Sequence, residues 1–217
     1  AIILASTGLL MYGCNDNRNS AVLGDNVAPL MVSGSLEGGY RQINLRLSGE
    51  PVELTVYRGD YIKFHLDDQG DPQVDYQLDV PELGISSIIK DTNTEQPFFK
   101  MKKSGKYVFS VGEQHGTIEV VELRQSNYTE LSAEEAWEMM LKNPPFLLDV
   151  RTSAEYGRGY LKDAVLVPLQ DLQARAGELE RYKNQPILIY CATGNRSTTA
   201  SKILLDQGFM NVMNLRM

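Results

Sequence analysis

The chain has 217 residues, 42% hydrophobic and 23% charged, which is enough for one large domain or two small ones. Its net charge of −7 opposes broad contact with a phosphate backbone, so nucleic acid is not an expected partner. Only two cysteines occur, Cys14 and Cys191, which excludes a cysteine-rich zinc or iron–sulfur cluster; no metal or other cofactor is expected. The acidic excess lies between Cys14 and Ser126, and the region holding Cys191 is close to neutral.

Residues 1–13 are apolar, uncharged and too short to span a bilayer as a helix. They end at Gly13-Cys14, and the chain then turns polar at Asn15-Asp16-Asn17-Arg18. An apolar stretch of this length with such a boundary is the pattern of an export signal, the alternative being a short buried element of the mature fold. Leu10-Met11-Tyr12-Gly13-Cys14 resembles a bacterial lipoprotein signal with its lipobox. An initiating methionine and a basic stretch are then expected upstream of Ala1. The resemblance implies a lipid on Cys14 and a membrane-anchored protein outside the cytoplasmic membrane of a bacterium, in the periplasm or at the cell surface. Residues 14–27 read as a polar tether.

The region 28–123 reads as all-β. Val52–Tyr57 alternates apolar and polar residues, Arg58-Gly59-Asp60 turns the chain, and Tyr61–Leu66 follows. Similar runs are Tyr76–Val80, Tyr107–Val111 and Thr117–Leu123, with Gly, Pro, Asp and Asn between them. Several short strands without a helical period suggest a β-sandwich. The runs Val52–Asp60, Leu78–Ile85, Lys103–Val111 and Gly116–Val120 together resemble a cupredoxin. Members of that family hold type-1 copper with Cys, His and often Met. Here Ser110 and Val111 stand where the cysteine would fall, and Tyr76 and Gln77 near the first histidine. The expectation is therefore a cupredoxin-like sandwich without type-1 copper, with His115 an ordinary loop histidine and His65 structural. Such a domain would serve as a spacer or as a docking surface for a protein partner.

Arg124–Thr129 reads as a polar linker. Ser132 with Glu135 forms a capping box for a helix that Asn143-Pro144-Pro145 stops, and Trp137 and Met140 are expected in its buried face. Phe146–Val150, Ala164–Val167, Ile187–Tyr190 and Asn211–Leu215 read as strands. Ser153–Gly159, Asp171–Tyr182 and Ser197–Gln207 read as helices. Strands alternating with helices imply an α/β domain with a parallel sheet covered on both faces.

The stretch Ile187–Ser197 carries the chemistry. A buried strand brings Cys191 to its end, a loop with one glycine follows, and Arg196-Ser197 opens a helix. Loop amides, the helix dipole and the Arg196 charge all favour thiolate over thiol, making Cys191 a candidate nucleophile with a depressed pKa. Asp149 and Arg151 lie at the C-terminal end of a neighbouring strand, in a supporting position. Glu155 is the expected ion partner of Arg151.

Three segments, Leu148-Asp149-Val150-Arg151 with Glu155-Tyr156, Gly159–Ala164 with Val167-Pro168, and Tyr190–Ser197, resemble a single-domain rhodanese over residues 128–217. Tyr160 and Asp163 depart from the family pattern, in which His and Gly are common there. The family usually continues beyond the position of Met217 through a Gly-Gly turn and a short helix. The resemblance implies a catalytic Cys191, with Ala192, Thr193, Gly194, Asn195, Arg196 and Ser197 binding the substrate. Cys191 through Arg196 is a six-residue Cys-x-x-x-x-Arg loop, whereas related phosphatases use one residue more to hold a tetrahedral oxyanion. The expected function is transfer of a sulfane sulfur from thiosulfate or a persulfide, through a Cys191 persulfide, to a thiol or cyanide. The alternative is a non-enzymatic module that binds sulfur species or a partner with the same loop.

Overall fold

The computed structural model describes residues 30–67, 74–90 and 96–217. The signal, Cys14 and the tether lie outside the described residues.

The β half contains β1 (Ser35–Glu37), β2 (Tyr40–Leu45), β3 (Val52–Tyr57), β4 (Tyr61–Leu66), β5 (Asp75–Val80), β6 (Ile85–Lys90), β7 (Phe98–Lys100), β8 (Gly105–Val111) and β9 (Gln114–Val121). They form two sheets, in the orders β1-β2-β4-β7 and β3-β9-β8-β5-β6. The pairs β2/β4 and β3/β9 are parallel, and the remaining pairs in these sheets are antiparallel. Alternation directs Leu54 and Val56, Ile62 and Phe64, and Ile118 and Val120 into one shared core, where Phe64 stacks on Phe109 with centroids 5.2 Å apart. His115 lies in β9, opposite Ser110, and is exposed rather than in a loop.

The second half contains β10 (Tyr128–Leu131), α1 (Ala133–Lys142), β11 (Phe146–Asp149), α2 (Ser153–Tyr156), β12 (Val165–Leu166), α3 (Leu169–Arg175), β13 (Ile187–Tyr190), α4 (Asn195–Asp206) and β14 (Val212–Leu215). Its five strands are all parallel, in the order β10-β14-β13-β11-β12. This is the α/β domain expected from the sequence. The expected linker instead enters the sheet at Tyr128, because β10 pairs along β14 and its backbone groups are satisfied there.

The sheet is buried on both faces, and the alternation of β13 shows how. Ile187 and Ile189 point with Cys191 into the core beneath α3 and α4. Leu188 and Tyr190 point to the opposite face, beneath α1. The Cys191 side chain is thereby delivered to the α4 side. Helix α1 has the expected capping box, but Trp137 is 61% and Leu141 67% exposed. The helix rests on the sheet through Ala136, Met139 and Met140, which turns Trp137 outward.

The two halves share a core. Tyr57 and Leu123 pack among the α3 and α4 residues, with Val32, Leu36 and Val121 against them. The turn between β3 and β4 packs directly on α4. Thr199 Oγ1 donates to the Gly59 carbonyl at 3.1 Å, and a Cβ on Gly59 would lie 2.8 Å from the Asn195 carbonyl oxygen. Gly59 has φ of +105°, so both its conformation and its surroundings require glycine. Asp60 secures the turn by accepting from the Tyr57 amide at 3.0 Å and from Arg41 Nε at 2.8 Å, in a pair that is almost fully buried.

Helix α4 is therefore covered by the sheet on one side and by the β half on the other. Ser197, Thr198, Thr199 and Ser201 are all buried. Two of their hydroxyls are satisfied within the helix: Thr198 bonds the Gly194 carbonyl at 2.8 Å and Ser201 the Ser197 carbonyl at 2.8 Å.

Candidate active site

Cys191 follows the last residue of β13 and is 6% exposed. Its sulfur accepts from the Gly194 amide at 3.2 Å and from the Ser197 hydroxyl at 3.5 Å. Helix α4 begins at Asn195, two residues before the expected start, with Gly194 as its N-cap in the left-handed conformation. No side chain caps this end and no acidic residue lies in the first turn. The sulfur occupies the place of a capping oxygen, close to the unsatisfied amides and the positive end of the helix dipole. Burial pushes the Cys191 thiol up. The Ser197 hydroxyl and the Thr193, Ser197 and Gly194 amides outweigh that and hold its pKa below the ordinary value. The site is thus built to carry a negatively charged sulfur.

Gly194 has φ of +89°, and a Cβ there would lie 2.8 Å from Arg216 Cγ. Arg216 folds over the loop, donating to the Gly194 carbonyl at 3.4 Å, to Thr198 Oγ1 at 3.0 Å and to Asn195 Oδ1 at 3.0 Å. Asn214 Nδ2 donates to the same Gly194 carbonyl at 3.2 Å and to Thr198 Oγ1 at 2.9 Å. These bonds fix the Gly194–Asn195 peptide at the start of α4, next to the loop whose Thr193, Gly194 and Ser197 amides face the sulfur. Sequence reasoning did not single out Arg216 or Asn214. The signal for Asn214 was an amide inside the apolar run Val212–Leu215, since a buried polar group needs partners.

The other expected site residues divide by role. Thr193 contributes its amide, while its hydroxyl accepts from Asn195 Nδ2 at 3.2 Å. Ala192 is the exposed first residue of the loop. Arg196 makes a two-pronged pair with Glu155, each contact 2.6 Å. Glu155 in turn closes the α2 capping box, accepting from the Thr152 amide at 3.0 Å. The guanidinium holds the Glu155 carboxyl well below the usual carboxylate range. Glu155 is therefore engaged with Arg196 rather than with Arg151. Arg151 instead pairs with the fully buried Asp149, its Nη2 lying 2.6 Å from the carboxylate, and donates to the Gly159 carbonyl at 2.7 Å. The nearer partner wins because the Asp149 carboxylate also accepts from the Arg151 amide at 2.9 Å, which clamps the turn. These two pairs shape the loops around Cys191 and leave neither guanidinium free. Among the described residues, no group of three or more His, Cys, Asp or Glu side chains could hold a metal ion.

The rhodanese-like domain family model matches residues 132–217, the part of the chain that builds this loop. A sulfurtransferase of Allochromatium vinosum is 39% identical over 70 residues, 32% of this chain and 64% of that protein. The thiosulfate sulfurtransferase GlpE of Coxiella burnetii is 31% identical over 88 residues, 41% of this chain and 80% of that protein. The chain belongs to the rhodanese-like family. The chain spans less than two thirds of the Allochromatium relative. Among solved structures, a rhodanese-like domain protein from Staphylococcus aureus aligns at 28% identity with a TM-score of 0.36, covering 41% of this chain and 84% of that one. The rhodanese-like region carries the sulfurtransferase relationship, and the β half lies outside the family match.

Proposed function

We propose that the protein transfers sulfane sulfur from thiosulfate or a persulfide to a thiol or cyanide through a persulfide on Cys191. The observation that carries this reading is the convergence of the Gly194, Thr193 and Ser197 amides and the Ser197 hydroxyl on one buried sulfur. With thiosulfate, the Cys191 thiolate attacks the outer sulfur. A new S–S bond forms, the old one breaks, and sulfite leaves with the bonding electron pair. The product is a Cys191 persulfide whose terminal sulfur bears the negative charge. The donors that favour the thiolate also favour this anion, as an oxyanion hole favours an alkoxide. Cyanide then bonds the terminal sulfur, thiocyanate departs, and the thiolate is restored. The six-residue length of the loop from Cys191 through Arg196 supports a single sulfur atom rather than a tetrahedral oxyanion as its cargo. Arg196 and Glu155 keep the loop closed.

The apolar stretch before Cys14 supports a location outside the cytoplasmic membrane, anchored by lipid. The two packed sheets of the β half are consistent with a cupredoxin-like domain that has no copper role. The test is a thiosulfate:cyanide assay on the full chain. Cys191→Ala is expected to abolish thiocyanate formation while leaving the circular dichroism spectrum unchanged. Retained turnover in that variant refutes the persulfide route, and absence of turnover in the parent protein favours the binding module.

A further inference from the structure

Every guanidinium that the rhodanese-like half places at the loop is engaged. Arg196 is held by Glu155, Arg151 by Asp149 and the Gly159 carbonyl, and Arg216 by Asn195, Thr198 and Glu130. An unpaired cation attracts an anionic donor, and the β half carries one beside the turn that contacts α4. The turn that contacts α4 is tied to the end of β7: the Gly59 amide donates to the Met101 carbonyl at 2.8 Å, and the Met101 amide to the Asp60 carbonyl at 3.0 Å. The residue before Met101 is Lys100, which pairs in register with Tyr61 of β4. Its ammonium sits 5.2 Å from the centre of the Tyr61 ring. Both side chains are half-buried, and both feel the charges of Cys191 and Arg196. Among the described residues no carboxylate pairs with Lys100; burial pushes its pKa down, the Cys191 charge opposes that, and Arg196, Lys102 and Arg216 add to it. Tyr40 and Phe98 pack around Tyr61, with centroids 6.3 and 5.9 Å away, so the platform under the ammonium is fixed.

We propose that Lys100, carried by the β half and seated on Tyr61, is the positioning residue that holds the anionic end of the sulfur donor over Cys191. The inference rests on the sulfur-transfer reading and narrows the donor class to sulfane sulfur attached to an oxyanion, as in thiosulfate. It also gives the β half a part in the reaction: the rhodanese-like fold supplies the nucleophile and the persulfide cradle, and the β half supplies the donor's counter-charge. Lys100 remains beside the sulfonate end as the S–S bond breaks, so the same ammonium faces the departing sulfite.

The experiment is steady-state thiosulfate:cyanide kinetics on the full chain, comparing the parent protein with Lys100→Gln and Lys100→Arg. Loss of one charged contact predicts a KM for thiosulfate raised about tenfold or more in Lys100→Gln, with kcat within about threefold. Lys100→Arg keeps the charge and is expected to retain most of the affinity. Added salt should raise the parent KM and narrow its gap to Lys100→Gln, because a charge contact is screened and a packing contact is not. An unchanged KM in Lys100→Gln, or a loss confined to kcat, overturns the inference while the parent activity leaves the sulfur-transfer reading standing. A parent protein that neither forms thiocyanate nor gains sulfur on Cys191 overturns both.

Discussion

Replacing Ser197 with alanine isolates one contribution to the thiolate. The hydroxyl lies 3.5 Å from the Cys191 sulfur, and the side chain is fully buried. The substitution removes a single oxygen and leaves the local backbone bond intact, since Ser201 Oγ bonds the Ser197 carbonyl rather than its side chain. A hydrogen bond to a charged group contributes about 1.5–3 kcal/mol, and the long contact places this one near the lower end. At 1.36 kcal/mol per unit, the Cys191 pKa should rise by about one unit. The sign follows from which form is favoured: the hydroxyl donates to the anion, so its loss disfavours thiolate. The acid limb of the reactivity profile therefore moves to higher pH. On that limb the variant reacts about tenfold more slowly, and at high pH the two proteins converge. The assay is the pH dependence of Cys191 alkylation by iodoacetamide, followed by intact mass. An unchanged apparent pKa would show that the hydroxyl does not stabilise the thiolate and that the cradle consists of backbone amides alone.

Two further substitutions probe the supports of the loop. Glu155→Gln leaves the Arg196 guanidinium without its carboxylate and should cost about 2 kcal/mol in denaturant unfolding at neutral pH, the pair being partly buried. Because the Glu155 carboxyl titrates below its unfolded value, its stabilisation is present above the ordinary carboxylate range and is lost as pH falls through the folded value. The gap between parent and variant should therefore begin to shrink as pH falls below the ordinary carboxylate range and should close in strong acid, and an equal gap throughout would rule out the ion pair as its source. Gly59→Ala must accept φ of +105° and a 2.8 Å approach to the Asn195 carbonyl. It should lower stability by about 2 kcal/mol or more and speed amide exchange in α4. An unperturbed exchange rate in α4 would mean the turn does not press on the helix.

The parts of the fold that could be read from sequence are those whose signals are local. The capping box at Ser132, the Pro144-Pro145 stop and the alternation of Ile187, Ile189 and Cys191 each depend on residues close in the chain. The strand β2 was hidden because Arg41 occupies an inward position between Tyr40 and Ile43, which breaks the apolar alternation. Only its pairing with Asp60 explains an arginine there. The exposure of Trp137 is not legible in the sequence, because helical periodicity identifies a stripe of apolar residues but not which edge of it meets the sheet. The cysteine loop was legible as a nucleophile site. Its supports were not, because Glu155 with Arg196, Asn214 with Gly194 and Gly59 with Thr199 join residues far apart in the chain, and only the sheet order brings them together.

The account stands most directly on whether Cys191 carries sulfur. The full chain is reduced, incubated with thiosulfate and freed of donor, and its intact mass and peptide masses are measured. The prediction is a gain of one sulfur atom confined to the peptide holding Cys191, removed by cyanide with one equivalent of thiocyanate released. A Cys191 that stays open to alkylation yet gains no sulfur from thiosulfate or a persulfide donor would contradict the account.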